Sequence, residues 1–328
     1  MVTIKEIAQK AGVSISTVSR VLNNEHSRLF SDETKRKIFK TAKDLSYQKK
    51  SFQGLTTYKV VILHGYNEQE ELENFYYMSI KSGIENRCRH HSIQITECFQ
   101  NNYKSLIDTN FKGLIILGRY DLNLVKEIHS ITKNIVILDA PYDEEEYDLV
   151  VVNLERATKK VLDYFLDKGH KNIGYIGGNV VLNDKESIMD QREIAFRRYL
   201  EEKGLFNELF IYIGTFSVND GYLLMKKAIR ELGKKLPTAF FAGSDTIAIG
   251  ALRALLEEGI AVPNRVNLIG INDINISKYI YPSLSTIKVN TEAMGETAVD
   301  LLLERIDGRK IPKKVYMATE LIIRNSSF

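Results

Sequence analysis

Proline, cysteine and long apolar runs are all scarce in this chain of 328 residues, and each shortage narrows what it can be. No apolar stretch approaches the roughly 18 residues that a membrane span requires. The N-terminus lacks the basic-then-apolar layout of an export signal, so a cytoplasmic protein with no membrane partner is expected. Five prolines in an ordinary composition exclude a linker or tail and leave room for a packed core. The two cysteines, Cys88 and Cys98, have neither CxxC spacing nor a histidine cluster around them, which argues against a metal site and a redox pair. GxGxxG and Walker sequences are missing, as is any activated-nucleophile signature, and the six histidines are scattered. No catalytic residue, metal or cofactor is therefore assigned, and the chain does not read as an enzyme.

What is present begins with charge. Hydrophobic residues make up 44% and charged residues 27%, as in a globular protein, and the length suits two or three compact units. The net charge of +3 conceals an asymmetry: up to Lys59 there are 12 Lys/Arg against 5 Asp/Glu, leaving 33 against 37 for the remainder. A basic head on a mildly acidic body is a footprint for phosphate, although a solubilising face would look the same.

In the head, Ile4, Ile7, Ala8 and Ala11 recur at helical spacing behind Thr3, a helix-capping residue. Gly12 and Val13 interrupt the pattern. A second short helix from Ser14 or Ile15 turns Val18, Val21 and Leu22 inward and leaves Ser16, Thr17, Ser19 and Arg20 outward. Ser31 can cap a third helix, with Ile38, Phe39, Ala42 and Leu45 closing a small all-α core. Two short helices joined by a glycine-containing turn form a helix-turn-helix. Small residues at Ser14 to Thr17 would allow close approach to a groove, and Arg20 could meet a guanine edge with two hydrogen bonds. Pairing of Arg20 with a carboxylate of its own domain is the alternative.

Beyond Lys59, short apolar runs alternate with amphipathic ones. Strands are expected at Val60–Leu63, Gly113–Leu117, Ile135–Leu138, Ile173–Ile176, Phe210–Ile213, Ala239–Ala242 and Leu268–Ile271, with a last one at Val315–Ile323. Helices are expected at Tyr76–His90, Leu122–Thr132, Leu154–Lys168, Asp190–Lys203, Gly221–Glu231, Asp245–Glu258 and Glu292–Ile306. This alternation describes an α/β body of two doubly wound parallel-sheet subdomains, whose ligands bind at the carboxyl ends of the strands. Just past those ends stand Tyr66, Asp139, Asn179, Ser244, Asp245, Asn272 and Asp273, with Phe75 and Tyr76 nearby. Acids and amides suit the hydroxyls of a sugar and aromatic rings suit its C–H face; for any one residue, a strand-end cap or turn would serve equally.

From Thr3 through Ser14-Ile-Ser-Thr-Val-Ser-Arg-Val-Leu-Asn23 the head closely resembles that of the lactose-repressor family. The body resembles that family in Gly169–Gly178, Arg192–Phe196, Ala242–Ala254 and Pro282–Ile287. By that resemblance Ile15, Ser16 and Arg20 read bases, and Thr3, Ser14, Thr17 and Asn23 hold phosphates. Arg192 matches an arginine that clamps effector hydroxyls, Asp139 an acid at the end of the fourth strand, and Ser244 and Asn272 a polar pair of the second subdomain. Tyr66 and Tyr76 complete the expected effector set. The family's hinge helix inserts a leucine into the minor groove. Here Leu55 is the candidate, but Gly54 beside it weakens a helix, and a flexible basic linker carrying Lys49 and Lys50 is the other reading.

The resemblance implies a head at 1–47, a hinge or linker at 48–58, and an effector-binding and dimerisation domain at 59–328 of the periplasmic-binding-protein type. Its two subdomains would be roughly 59–153 and 154–284, with the C-terminal segment crossing back. It further implies a homodimeric repressor of a sugar-utilisation operon on a near-palindromic operator, released by a small sugar. With no leucine heptads after Val315–Ile323, a coiled-coil tetramer is not expected. Similarity of Tyr66–Tyr77, Asp190–Phe196 and the Leu284–Gly295 region to repressors of the evolved β-galactosidase operon and of Gram-positive galactose operons favours galactose or a galactoside. A corepressor-dependent regulator and a sugar-binding protein remain the alternatives.

Overall fold

The computed structural model describes residues 3–22, 30–45, 58–66, 75–106, 110–118, 120, 122–139, 145–182 and 186–328. It divides into two units, residues 1–56 and 57–328. The first contains helices α1 (Ile4–Ala11), α2 (Ile15–Leu22) and α3 (Asp32–Asp44). Thr3 caps α1 in a capping box with Glu6, and Gly12, at φ +65°, ends it in the left-handed conformation that glycine adopts without steric penalty. Ile7, Ala8, Ala11, Val18, Val21, Ile38 and Ala42 form the core, with Ile4, Val13, Phe30 and Leu45 against it. The expectation that Phe39 joins this core fails: the side chain is 52% exposed. It follows the fully buried Ile38 and so points about 100° away around the helix. The side chain of Leu22 lies outside the described set.

The second unit is built on two six-stranded sheets. The first takes β1 (Lys59–His64), β2 (Gln94–Phe99), β3 (Gly113–Leu117), β4 (Ile135–Leu138), β5 (Asp148–Val152) and β13 (Lys314–Met317), in the order β13-β5-β4-β3-β1-β2 and parallel throughout. Alternating side chains serve opposite faces. Val61, Leu63, Leu114 and Ile116 pack with Val125 and Ile128 of α5 (Leu122–His129). Val60, Ile62 and Ile115 join a cluster with Ile80 and Ile84 of α4 (Phe75–His90) and with Met294 and Ala298 of α10 (Thr291–Ile306).

The second sheet runs β14-β12-β11-β10-β6-β9. Its strands are β6 (Ile173–Gly178), β9 (Ile211–Gly214), β10 (Ala239–Ala242), β11 (Asn267–Asn272), β12 (Ser285–Val289) and β14 (Thr319–Ile322). Four helices belong to this half: α6 (Leu154–Asp167), α7 (Gln191–Glu202), α8 (Val218–Leu232) and α9 (Asp245–Glu257), and a hairpin β7 (Val180–Leu182) and β8 (Glu186–Ile188) precedes α7. Because β12 belongs to this sheet, the second subdomain reaches residue 289 rather than 284. The single strand expected at Val315–Ile323 is two strands in different sheets: β13 pairs parallel with β5, and β14 pairs antiparallel with β12. The chain therefore crosses between the subdomains after β5, after β12 and between β13 and β14.

A buried ion cluster anchors the returning segment. Asp148, fully buried at the start of β5, accepts from Arg305 Nε at 2.7 Å and from both terminal nitrogens of Arg309 at 2.9 and 2.8 Å. Burial alone would raise the Asp148 pKa, but Arg309, the Lys313 amide and Arg305 together hold it below the usual carboxylate value. Its contribution to stability is thus complete above about pH 4 and is lost as pH falls through the depressed value. Asp148→Asn takes the acid from Arg305 and one of two acids from Arg309, which keeps Glu304, and is expected to cost about 3–5 kcal/mol, read as a lower urea midpoint at pH 7.

Candidate functional site

In the first unit, Ser14 sits just before α2 and its Oγ accepts from the Thr17 amide at 3.0 Å. The same oxygen lies 2.8 Å from Ser16 Oγ and 2.7 Å from Thr17 Oγ1. These hydroxyls form one connected polar edge at the N-terminus of α2, where unpaired amides and the helix dipole favour an anion. Ile15 is 53% exposed although apolar, and Ser16 and Arg20 are exposed beside it. Among the described residues no carboxylate pairs with Arg20. Thr3 presents its own capped helix start. Asn23, Leu55, Lys49 and Lys50, like the whole segment 48–57, lie outside the described residues.

In the second unit, topology singles out two places before any side chain is considered. Strand order reverses between β1 and β3 in the first sheet and between β6 and β10 in the second, so the crevices open beyond the carboxyl ends of those strands. Tyr66 follows β1, and Gly243 and Ser244 follow β10. Asp139 follows β4 with φ +57°, and its carboxylate accepts from Tyr76 Oη at 3.2 Å and Tyr77 Oη at 3.0 Å. Burial, then the charge of Asp139, pushes the Tyr76 phenol well above its ordinary pKa, so it stays a neutral donor.

Arg192 is the cation of the crevice. Its Nε and one terminal nitrogen clasp both oxygens of Asp190 at 2.6 and 2.7 Å, and the other donates to the Gly243 carbonyl at 2.5 Å, at the second switch point. The guanidinium carbon stands 4.6 Å from the centre of the Phe216 ring. Burial opposes the charge, yet Asp190 outweighs it and Arg192 is held more firmly protonated than in water. Tyr76 and Asp139 both feel this charge, so groups from the two subdomains converge.

The remaining expected residues divide. Asn272 ends β11 half-buried with φ +123°. Asn179 pairs its backbone amide with Gly214. Ser244 is buried and spends its Oγ capping α9 through the Ile247 amide at 3.1 Å. Asp273 is bridged to Arg324 at 2.6 Å. Asp245 is fully buried and accepts from Thr286 Oγ1 at 2.6 Å, Ser277 Oγ at 2.9 Å and the Ile274 amide at 2.9 Å, which makes it a brace beneath the crevice rather than part of its lining. Burial pushes its pKa up to about 6 against those three bonds. The folded state therefore favours the protonated form, and stability is expected to fall as pH rises from about 4 to about 6. Asp245→Asn removes that slope from a melting-temperature profile.

Sequence reasoning missed Tyr77, Asp190 and Phe216. Tyr77 adjoins Tyr76, and Asp190 is the N-cap of α7 two residues before Arg192, so only the fold shows that Tyr77 meets Asp139 and that Asp190 holds the Arg192 guanidinium. Among the described residues no helix is long and apolar enough to cross a membrane, and no three His, Cys, Asp or Glu side chains are grouped to hold a metal ion.

Residues 3–50 match the family described as bacterial regulatory proteins, lacI family, and residues 162–327 match the periplasmic binding protein-like domain. The HTH-type transcriptional regulator GanR of Bacillus subtilis (strain 168) is 39% identical over 99% of both chains. The chain belongs to the lacI family. It is a DNA-binding transcriptional regulator rather than an enzyme. Another lacI-family relative, GalR of Lacticaseibacillus casei, is 37% identical over the whole of both chains. The fold agrees with solved structures of the family at 22% identity. The lac repressor dimer bound to operator and the anti-inducer ONPF superposes with a TM-score of 0.72 over 99% of this chain and 98% of that one. The CelR–cellobiose complex gives a TM-score of 0.72 over 99% and 100%. The helix-turn-helix head and the two α/β subdomains of a lacI-family regulator are thus established.

Proposed function

We propose that this regulator is a cytoplasmic homodimer that represses a sugar-utilisation operon from a near-palindromic operator and is released by galactose or a galactoside. The observation that carries the effector reading is Asp139, whose carboxylate is oriented by two phenols and faces the charge of Arg192 across the crevice. An acid, a guanidinium and the aromatic faces of Tyr66, Tyr76 and Phe216 suit a polyhydroxylated ring. Asn272 supplies an amide at the same strand ends, and Ser244 shapes its side by capping α9. Galactose is supported by relatives that carry the names GalR and GanR.

In the head, Ile15, Ser16 and Arg20 meet base edges and Thr3, Ser14, Thr17 and Asn23 hold phosphates, while in the hinge Leu55 is the wedge for the minor groove. A head of this size reads a half-site, so two copies are needed. Apolar side chains left in water supply a pairing surface: Tyr279 is 78% exposed and Tyr281 86%, with Ile276, Leu223 and Leu256 also exposed in the second subdomain and Phe75 and Met78 on α4.

The test is a thermal-shift screen of monosaccharides and galactosides on the full-length chain, repeated with duplexes from upstream of neighbouring genes. Galactose or a galactoside is expected to raise the melting temperature of the free protein and lower its affinity for one symmetric duplex. A sugar that tightens duplex binding would replace induction by corepression. No shift with any sugar would reject the effector reading.

A further inference from the structure

From Asp139 a chain of polar and aromatic contacts runs on beyond the residues assigned to the effector. Lys81 of α4 meets Glu97 of β2 at 2.7 Å, and Glu97 meets His64 Nε2 at 2.9 Å. His64 Nδ1 lies 2.8 Å from Tyr66 Oη. The Tyr66 ring stacks on Tyr77, with centroids 4.8 Å apart and planes at 15°, and Tyr77 Oη donates to Asp139. We propose that His64 is a positioning residue for the effector site, holding Tyr66 and through it Tyr77 and Asp139, and coupling that acid to the edge strand β2. The proposal rests on the effector reading of the Asp139 crevice.

Three observations carry it. First, His64 is fully buried at the end of a strand in which it follows Val-Val-Ile-Leu, where an aliphatic side chain would pack without needing partners. Both its ring nitrogens are engaged, and its ring also stacks on Phe99 of β2 at 4.8 Å.

Second, the chemistry of the partners sets the direction of the bonds. The Glu97 carboxylate only accepts, so Nε2 carries the hydrogen. Nδ1 is left to share its hydrogen bond with the Tyr66 hydroxyl, and that bond fixes the ring.

Third, the backbone makes room for the ring pair. Gly118, at φ +91° just after β3, would bring a Cβ to 3.2 Å from Tyr66 and 3.3 Å from Tyr77. The stack therefore occupies space that any larger residue at position 118 would take.

The consequence is mechanical. Tyr66 and Tyr77 stand at the switch point between β1 and β3, and β2 is the edge of the same sheet, with Glu97 partly in water. A ligand that draws on Asp139 pulls on Tyr77, and the packed rings have no slack to absorb the movement. It passes to His64 and Glu97, so that ligand occupancy and the position of the sheet edge become linked.

The deciding experiment has an arm that needs no ligand. In full-length protein with 15N-labelled histidine, the His64 resonances are assigned by their loss in His64→Gln. Tyr77→Phe, which removes the hydroxyl that donates to Asp139, is expected to shift them. Tyr103→Phe, whose hydroxyl bonds Glu127 on the surface, is expected to leave them in place. In the second arm, calorimetry with galactose is expected to show about tenfold weaker binding for Tyr66→Phe, the loss of roughly one hydrogen bond. Glu97→Leu should weaken binding similarly, whereas Glu97→Gln, which still accepts from Nε2, should bind close to the parent, with a melting temperature close to the parent's as well.

His64 resonances indifferent to Tyr77→Phe, or unchanged affinity in Tyr66→Phe, would overturn the proposal. If the parent chain binds no sugar while Tyr77→Phe still shifts His64, the relay stands and the effector reading is what fails.

Discussion

Arg20→Ala is expected to abolish operator selectivity while leaving most of the total affinity for DNA. Arg20 is exposed in the last turn of α2, on the side away from the buried Val18 and Val21. A guanidinium that meets a guanine with two hydrogen bonds contributes about 1–3 kcal/mol of discrimination at each half-site. Over two half-sites this amounts to roughly 30-fold to 10⁴-fold in specific affinity. Removal of one charge per head lowers binding to random duplex far less, because that binding sums many phosphate contacts. The measurement is a competition titration of labelled operator against random duplex at fixed salt. An unchanged preference would show that Arg20 serves the fold or the phosphates and does not read sequence.

Loss of Arg192 should have the largest effect on the body, and the structure divides it into two parts. Arg192 is the partner of Asp190, whose side chain is only 5% exposed. Arg192→Ala takes the guanidinium from that buried carboxylate, which keeps the backbone amide of residue 192, at about 3–5 kcal/mol, and also removes the cation that faces Asp139. A second variant separates these effects: Asp190→Asn combined with Arg192→Gln replaces the ion pair by neutral amides. It is expected to recover most of the stability and to remain unresponsive to effector, with at least about 100-fold weaker binding for the loss of charge-assisted hydrogen bonds. Operator affinity of the double variant should stay near that of the parent, because the head folds on its own core. Restored effector binding in the neutral pair would assign Arg192 to structure alone.

Much of this was legible before the fold was known, and the reasons are physical. Parallel strands buried on both faces appear as unbroken apolar runs, so β3, β4 and β10 were bounded as observed. β2 was missed because Gln94-Ile-Thr-Glu-Cys-Phe99 is an edge strand, partly wet and mixed in character. β5 was missed because Asp148 opens it, and that acid makes sense only beside Arg305 and Arg309, more than 150 residues away in sequence. Periodicity saw one strand at Val315–Ile323 because alternation carries no information about which sheet a strand joins.

The crevice was read in the same uneven way. Tyr66 and Asp139 at strand ends, and Arg192 in the first turn of α7, could be named from spacing and resemblance. Their partners could not, because Tyr77, His64 and Asp190 acquire their roles from contacts that cross elements. Asp245 looked like a lining residue by its place after β10, but its carboxylate turns inward to Thr286 and Ser277.

The account depends most on the linkage between effector and DNA in one chain. The direct measurement is fluorescence anisotropy of a near-palindromic duplex titrated with the full-length protein, at several salt concentrations, with and without galactose. The account predicts tight binding that weakens steeply with salt, a clear preference over scrambled duplex, and release on addition of the sugar. Binding that shows no salt-sensitive preference for any symmetric duplex, or that ignores every sugar offered, would contradict it.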